Sequence, residues 1–368
     1  MTAREPTHTP TVGYVGLNHH HTEPYLATLA ELPVSVTAAC EPDEHFDVDG
    51  VSGLGDVPVY TDPVELLDEE DPDIVWISLS NRDTPAVIEA AVDRGIDVYT
   101  EKPAARTAAE LEELLESIDD SDATVGVSYT WRGHPAAQEL RNRAATGFFG
   151  DVRSVDARFI ASQLAYREAD HYLFEQAASR GGIVQWLGIH WIDLLPWILA
   201  DDVVRVNASL THGTPAVDVE DGAVVQFELA SGAIGSLQCG YYLREGRYDT
   251  ELSITGMDGR VSWDPMGDYF GFDDETTVEL ESCRDEYASA PRRYLTYDYE
   301  PTPGYGGGYG LDFMQQFLDA RVSADVRVPA DLEDALTVLR VLDAVYESAE
   351  TGEWVAVEGL EGETELKP

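Results

Sequence analysis

Lysine is almost absent from this chain of 368 residues: only Lys102 and Lys367 carry it, and the rest of its 23 basic residues are arginine. Cysteine is scarce too. Cys40, Cys239 and Cys283 are widely spaced and form no CxxC pair, which excludes a disulfide framework and a structural zinc site and fits a reducing compartment. The opening segment, MTAREPTHTPTVGYVGL, has no charged head followed by an apolar run. No stretch reads as the roughly 18 apolar residues that a membrane span needs, so a soluble, cytoplasmic protein is expected. Positive charge is the largest deficit: against 70 Asp and Glu, the formal net charge is −47. Such a surface repels phosphate backbones and anionic lipid, so neither nucleic acid nor membrane is an expected partner.

What is present is a folded protein. At 43% hydrophobic and 10% aromatic residues the chain can bury a large core, and its length suggests two to three domains. The carboxylates are spread between apolar segments and do not form blocks, as on the surface of a globular protein. The composition resembles that of proteins from salt-in halophiles, in which molar salt screens self-repulsion. In such a chain an internal lysine calls for a chemical reason, and Lys102 is that lysine.

The first 127 residues alternate short apolar strands with helix patterns, predicting a Rossmann-type α/β domain with a doubly wound parallel sheet. Expected strands are 11–15, 34–40, 74–79, 97–100 and 124–127. Asp62 before Pro63 marks one helix start, the Thr107/Glu110 capping box marks another, and a helix over 85–94 stops at Gly95. From 128 to 368 longer alternating strands (151–160, 203–210, 223–229, 235–242) predict an α+β domain with a large, open, mostly antiparallel sheet. Apolar spacing predicts helices over 182–195 and 331–350. The run PTPGYGGGYG at 301–310 reads as a mobile loop, either a lid or a connection.

The first strand runs into VGYVGLNHHH. Gly16 takes the first position of a GxGxxG dinucleotide fingerprint, while Asn18 and His21 replace the second and third glycines. The segment is either a weakened pyrophosphate cradle or an ordinary strand-to-helix turn. Neighbouring histidine side chains in a turn are expected to point apart, and no carboxylate or cysteine completes a set, so no metal is expected. Glu41, 25 residues beyond Gly16, stands where an acid accepts hydrogen bonds from an adenosine ribose; a carboxylate there repels a 2′-phosphate, favouring NAD over NADP.

Four segments in order, LSN (79–81), EKP (101–103), VSYTWRGHP (127–135) and GGIVQWLGIHWID (181–193), carry a resemblance. Over roughly residues 10 to 357 the chain resembles the Gfo/Idh/MocA family of dinucleotide-dependent oxidoreductases, with glucose–fructose oxidoreductase and inositol dehydrogenase among its members. The resemblance implies NAD(P) binding in the N-terminal domain through Gly16, Asn18, His21, Glu41, Ser80, Asn81, Glu101, Lys102 and Pro103. It implies hydride transfer at a sugar, polyol or cyclitol carbinol, with Lys102 and His190 as catalytic groups. It also implies a homodimer or homotetramer.

A compact ammonium stabilises a developing alkoxide and can trade a proton, which arginine cannot do; this is the chemical reason for Lys102. His190 and Asp193, one helical turn apart, are either a satisfied core pair or an oriented imidazole facing a ligand. Arg132 and His134 are either substrate contacts or a salt-bridged hinge. The chain departs from the family where many members carry Asp four residues before the histidine: here stands Trp186, a flat platform for a sugar ring and no proton acceptor. Ser80 replaces a common Pro and Thr84 a common His. Alternatives in other classes are a non-catalytic dinucleotide or sugar sensor on the same fold, and an NAD-retaining glycoside lyase or hydrolase.

Overall fold

A computed structural model describes residues 9–164, 171–215, 217–243, 246–266, 275–299 and 302–360. Lys367 and Pro301, both part of the sequence reading, lie outside them. The chain divides into two compact units, one built from residues 1–133 and 301–336, the other from 134–300 and 337–368. The sequence reading places residues 128–133 and 301–336 with the second half; by contacts both segments belong to the first unit.

The first unit is a six-stranded parallel sheet in the order β3-β2-β1-β4-β5-β6. Its strands are β1 (Thr11–Val15), β2 (Ser35–Cys40), β3 (Val59–Tyr60), β4 (Ile74–Ile77), β5 (Asp97–Thr100) and β6 (Val125–Val127). Strands β1 and β5 coincide with expectation in full, β2, β4 and β6 are within one or two residues of it, and β3 is one more than expected, two residues being too short for a periodic signal. Between them run α1 (Thr22–Glu31), α2 (Pro63–Glu70), α3 (Thr84–Val92) and α4 (Ala108–Ile118).

The capping chemistry is as read. The Asp62 carboxylate accepts the Val64 N–H at 2.8 Å, and Thr107 Oγ1 accepts the Glu110 N–H at 3.2 Å. Glu110 reaches back one residue further than a capping box requires, to the Arg106 N–H at 3.0 Å. All four β4 residues are buried, as both-face coverage of a parallel sheet demands.

The second unit carries a nine-stranded sheet, β14-β13-β12-β11-β7-β10-β9-β8-β15, antiparallel except where β7 meets β10. These strands are β7 (Val152–Ser162), β8 (Val203–Thr211), β9 (Gly222–Leu229), β10 (Ile234–Leu243), β11 (Asp249–Gly256), β12 (Gly259–Trp263), β13 (Glu275–Ser282), β14 (Arg292–Asp298) and β15 (Val355–Ala356). Helix α5 (Pro135–Ala145), the turn α6 (Gln176–Ser179) and α7 (Ile189–Leu199) belong to this unit. The stretch Gln176–Leu199 is apolar enough, at a mean hydropathy of 1.2, to pass as a membrane span, contrary to the sequence reading; 78% of its apolar window is buried inside the fold, as befits a core helix.

Two expectations change. The helix expected over 182–195 begins with a π turn, Val184–Gly188, and then runs on to Leu199 with Pro196 inside it. The glycine run is not a mere loop: α8 (Gly307–Val322) starts inside it, after Gly306 at φ +75°, because three glycines in a helix's first turn cost less than burial of Phe313, Met314 and Phe317 returns. The last long helix is α9 (Leu332–Thr351).

Candidate active site

In the first unit β1 hands over to α1 through Gly16, whose φ of +96° is left-handed. A Cβ there would lie 2.2 Å from the Ser78 carbonyl oxygen, so both strain and space restrict the position to glycine. Asn18 needs no glycine geometry, for it is not among the residues at positive φ. Its N–H donates to the Glu41 carboxylate at 2.7 Å, and Asp43 N–H donates to the same group at 2.9 Å. Glu41 is thus fixed at the carboxyl end of β2, buried, and burial pushes its carboxyl up despite the two amides. These features fit a dinucleotide: a cradle that a Cβ would fill, a helix N-terminus beside it, and an acid at the ribose position.

At the carboxyl end of β5, Glu101 and Lys102 are both buried. Glu101 accepts from the Tyr25 hydroxyl at 2.6 Å, from the Lys102 N–H at 3.1 Å, and pairs with His21 Nδ1 at 2.6 Å. Burial opposes its ionisation, but His21 and Lys102 outweigh burial and hold it well below the usual carboxylate range. Lys102 is pushed down by burial, with Glu101 acting against the shift. A lysine so desolvated gives up its proton more readily than one in water.

Ser80 is engaged locally: its hydroxyl donates to Asp83 at 2.6 Å and its carbonyl accepts from Thr84 Oγ1 at 2.9 Å, so both departures from the family serve the start of α3. Asn81 is buried beside them. Tyr305, from the glycine run, has its ring 4.3 Å from that of His21 and 4.8 Å from that of Tyr25, and no sequence signal pointed to it. The three histidine rings at 19–21 do not diverge: their centroids are 3.8 to 5.0 Å apart.

The second unit holds the other group. His190 and Asp193 sit buried on α7, and the His190 ring lies over Phe159 at 6.2 Å and 27°. Trp186, inside the π turn, meets Phe174 at 5.6 Å and Tyr241 at 6.1 Å. The π turn Val184–Gly188 shifts the four-residue register between Trp186 and His190. The Gly182 pair follows from Glu220: this buried carboxylate accepts the Gly182 N–H at 2.7 Å, the Val184 N–H at 3.0 Å and the Tyr346 hydroxyl at 3.1 Å. A Cβ on Gly182 would lie 2.0 Å from the Glu220 carbonyl oxygen.

Arg132, 7% exposed, pairs with Asp334 at 2.9 Å and donates to the Pro329 carbonyl at 3.4 Å, contacts of the kind that the salt-bridged alternative expects. His134 caps α5 by accepting the Ala136 N–H at 3.1 Å, contacts the Tyr299 hydroxyl, and is pushed down to about 3 by burial.

Against known proteins, residues 11–129 match the family model described as oxidoreductase family, NAD-binding Rossmann fold. Residues 137–262 match that of the Gfo/Idh/MocA C-terminal domain. The chain belongs to the Gfo/Idh/MocA oxidoreductase family. It is 27% identical over 300 residues to D-xylose 1-dehydrogenase (NADP(+)) 2 of Haloferax volcanii, covering 81% of this chain and 85% of that one. Myo-inositol 2-dehydrogenase of Thermotoga maritima is 25% identical over 254 residues, 67% of this chain and 70% of the other. The structure of levoglucosan dehydrogenase with NADH and levoglucosan superposes with a TM-score of 0.81 at 20% identity, over 95% of this chain and 99% of that one.

Proposed function

We propose that this oxidoreductase is an NAD-dependent dehydrogenase or reductase whose substrate is a sugar, polyol or cyclitol carbinol. The observation that carries the reading is Lys102, the single lysine among the described residues, desolvated at the carboxyl end of β5 against a buried Glu101. The names of the relatives, D-xylose and myo-inositol dehydrogenases, support the substrate class.

The cradle at Gly16 and the carboxylate of Glu41 hold the dinucleotide, whose bound nicotinamide supplies the hydride acceptor or donor. Lys102 donates a hydrogen bond to the carbinol oxygen and stabilises its developing charge, and His190 is the proton acceptor that the family resemblance implies. Glu101 fixes the Lys102 backbone and keeps negative charge near the ammonium. Glu41 favours NAD over a 2′-phosphorylated cofactor.

The test is a screen of sugars, polyols and their keto forms for NAD(P)-linked absorbance change in molar KCl. With the substrate found, Lys102→Arg should keep NAD affinity and lower kcat about a hundredfold, the scale of a lost proton-transfer group. Near wild-type turnover in that variant would remove Lys102 from the chemistry. Trp186, where an acid is common, favours one second reading, a sensor: NAD binding with no turnover of any carbinol supports it.

A halophilic, cytoplasmic setting fits the net charge of −47 and the Haloferax relative. Assembly into dimers or tetramers fits the exposed Val224, Ile234, Tyr242 and Tyr294 on the nine-stranded sheet. Light scattering in high salt that gives a 40.4 kDa monomer would reject assembly.

A further inference from the structure

We infer that His19, His20 and His21 form a binding site for one divalent cation of the zinc, cobalt, nickel and copper class in the turn between β1 and α1. One ligand nitrogen from each ring can be chosen so that all lie within 4.8 Å of one another. The backbone explains the convergence: Thr22 N–H donates to the His19 carbonyl at 2.9 Å and Tyr25 N–H to that of His21 at 2.8 Å, which curls the three residues into one turn.

His21 is already oriented for ligation. Its Nδ1 lies 2.6 Å from a Glu101 carboxylate oxygen, so in the neutral ring that donates this hydrogen bond Nε2 keeps the lone pair. A carboxylate behind a histidine is the usual second partner of a metal-binding imidazole, and it is the carboxylate that the sequence alone did not place here. His19 Nδ1 accepts the His21 N–H at 3.1 Å, which ties the His19 ring to the turn; ligation through this nitrogen exchanges that hydrogen bond for a metal–nitrogen bond, and ligation through Nε2 keeps it.

Three imidazoles suit borderline d-block ions, whereas magnesium and calcium prefer oxygen, so neither competes for the site. The inference does not rest on the redox reading, and either can fail alone.

Metal-free, full-length protein in molar KCl is titrated with Co²⁺. The expected result is visible absorption of a low-symmetry cobalt–imidazole centre that saturates at one equivalent and is displaced by Zn²⁺. His20→Gln, at an exposed ring, should raise the Co²⁺ dissociation constant at least about a hundredfold with an unchanged circular dichroism spectrum. Glu101→Gln should raise it about 10- to 100-fold through His21, an effect that a loose run of histidines would not show. Imidazole hyperfine structure on bound Cu²⁺, read by EPR, tests the ligands without any variant. Pale octahedral cobalt with no saturation, an unchanged affinity in His20→Gln, or Cu²⁺ without nitrogen coupling would overturn the site.

Discussion

Replacing Glu220 by alanine separates the fold of the second unit from the chemistry of the first. The carboxylate is 2% exposed and three donors converge on it, at 2.7, 3.0 and 3.1 Å. Removing it strands two amides and a phenol in a dry site, and at about 1–2 kcal/mol for each the loss is about 3–6 kcal/mol. For a unit of roughly 200 residues each kcal/mol moves the midpoint by about 2–4 °C, so Tm should fall on the order of 10 °C or more. Because Glu220 anchors the entry to the helix bearing His190, kcat should fall while NAD affinity holds.

Glu220→Gln sharpens the test through pH. Burial pushes Glu220 up, so the folded state binds more protons than the unfolded one, and its contribution is full below the ordinary carboxylate pKa and declines as pH rises. Glutamine cannot titrate. The stability gap between wild type and Glu220→Gln should therefore be widest near pH 4 and narrow toward neutrality. Calorimetry of both proteins in molar KCl reads it. A gap that widens with pH, or a Glu220→Ala midpoint within 2 °C of wild type, would refute the reasoning.

Glu41→Ala should weaken NAD binding and raise NADP affinity relative to it, by about 1–3 kcal/mol of relieved repulsion in a partly buried site, read by fluorescence titration. Arg132→Met should leave substrate KM near wild type yet lower Tm, since its guanidinium is spent on Asp334 and Pro329; a large KM change would restore the substrate role. Raising KCl from 0.1 M to about 2 M should raise Tm, as screening relieves the self-repulsion of a chain at −47; equal midpoints would count against a halophilic protein.

The parallel sheet was legible because its signals are local. The apolar runs of β1 and β5, the Asp62 and Thr107 caps and the Gly95 stop each report on a few neighbouring residues. Glu41 and the EKP turn were legible by spacing from Gly16 and from the strand ends. What escaped depends on groups far apart in sequence. Tyr305 reaches His21 across nearly the whole chain, and Glu220 and Tyr346 explain the glycine pair at 181–182 only once folded.

The π turn that holds Trp186 was not legible either, since it leaves no mark on apolar spacing. The histidine run escaped because its orientation is set by a turn and by Glu101, 80 residues away.

Residues 301–336 return to the first unit, and this bears on how the protein is made. The β6 edge completes itself on that returning segment: Val127 N–H donates to the Ala330 carbonyl at 3.0 Å. Phe317 covers Gly126, and Arg321 holds Asp97 at 2.6 Å. A ribosome that has released the first 133 residues has therefore delivered a sheet with a bare edge, a half-buried Asp97 carboxylate without its arginine and an uncovered aromatic layer at Trp76 and Tyr99. The nucleotide-binding unit matures only after the whole of the nine-stranded sheet, β15 apart, has been synthesised. A gene fragment cut at residue 133 should yield aggregate, whereas one that joins 1–133 to 302–336 through a short linker restores each of these contacts.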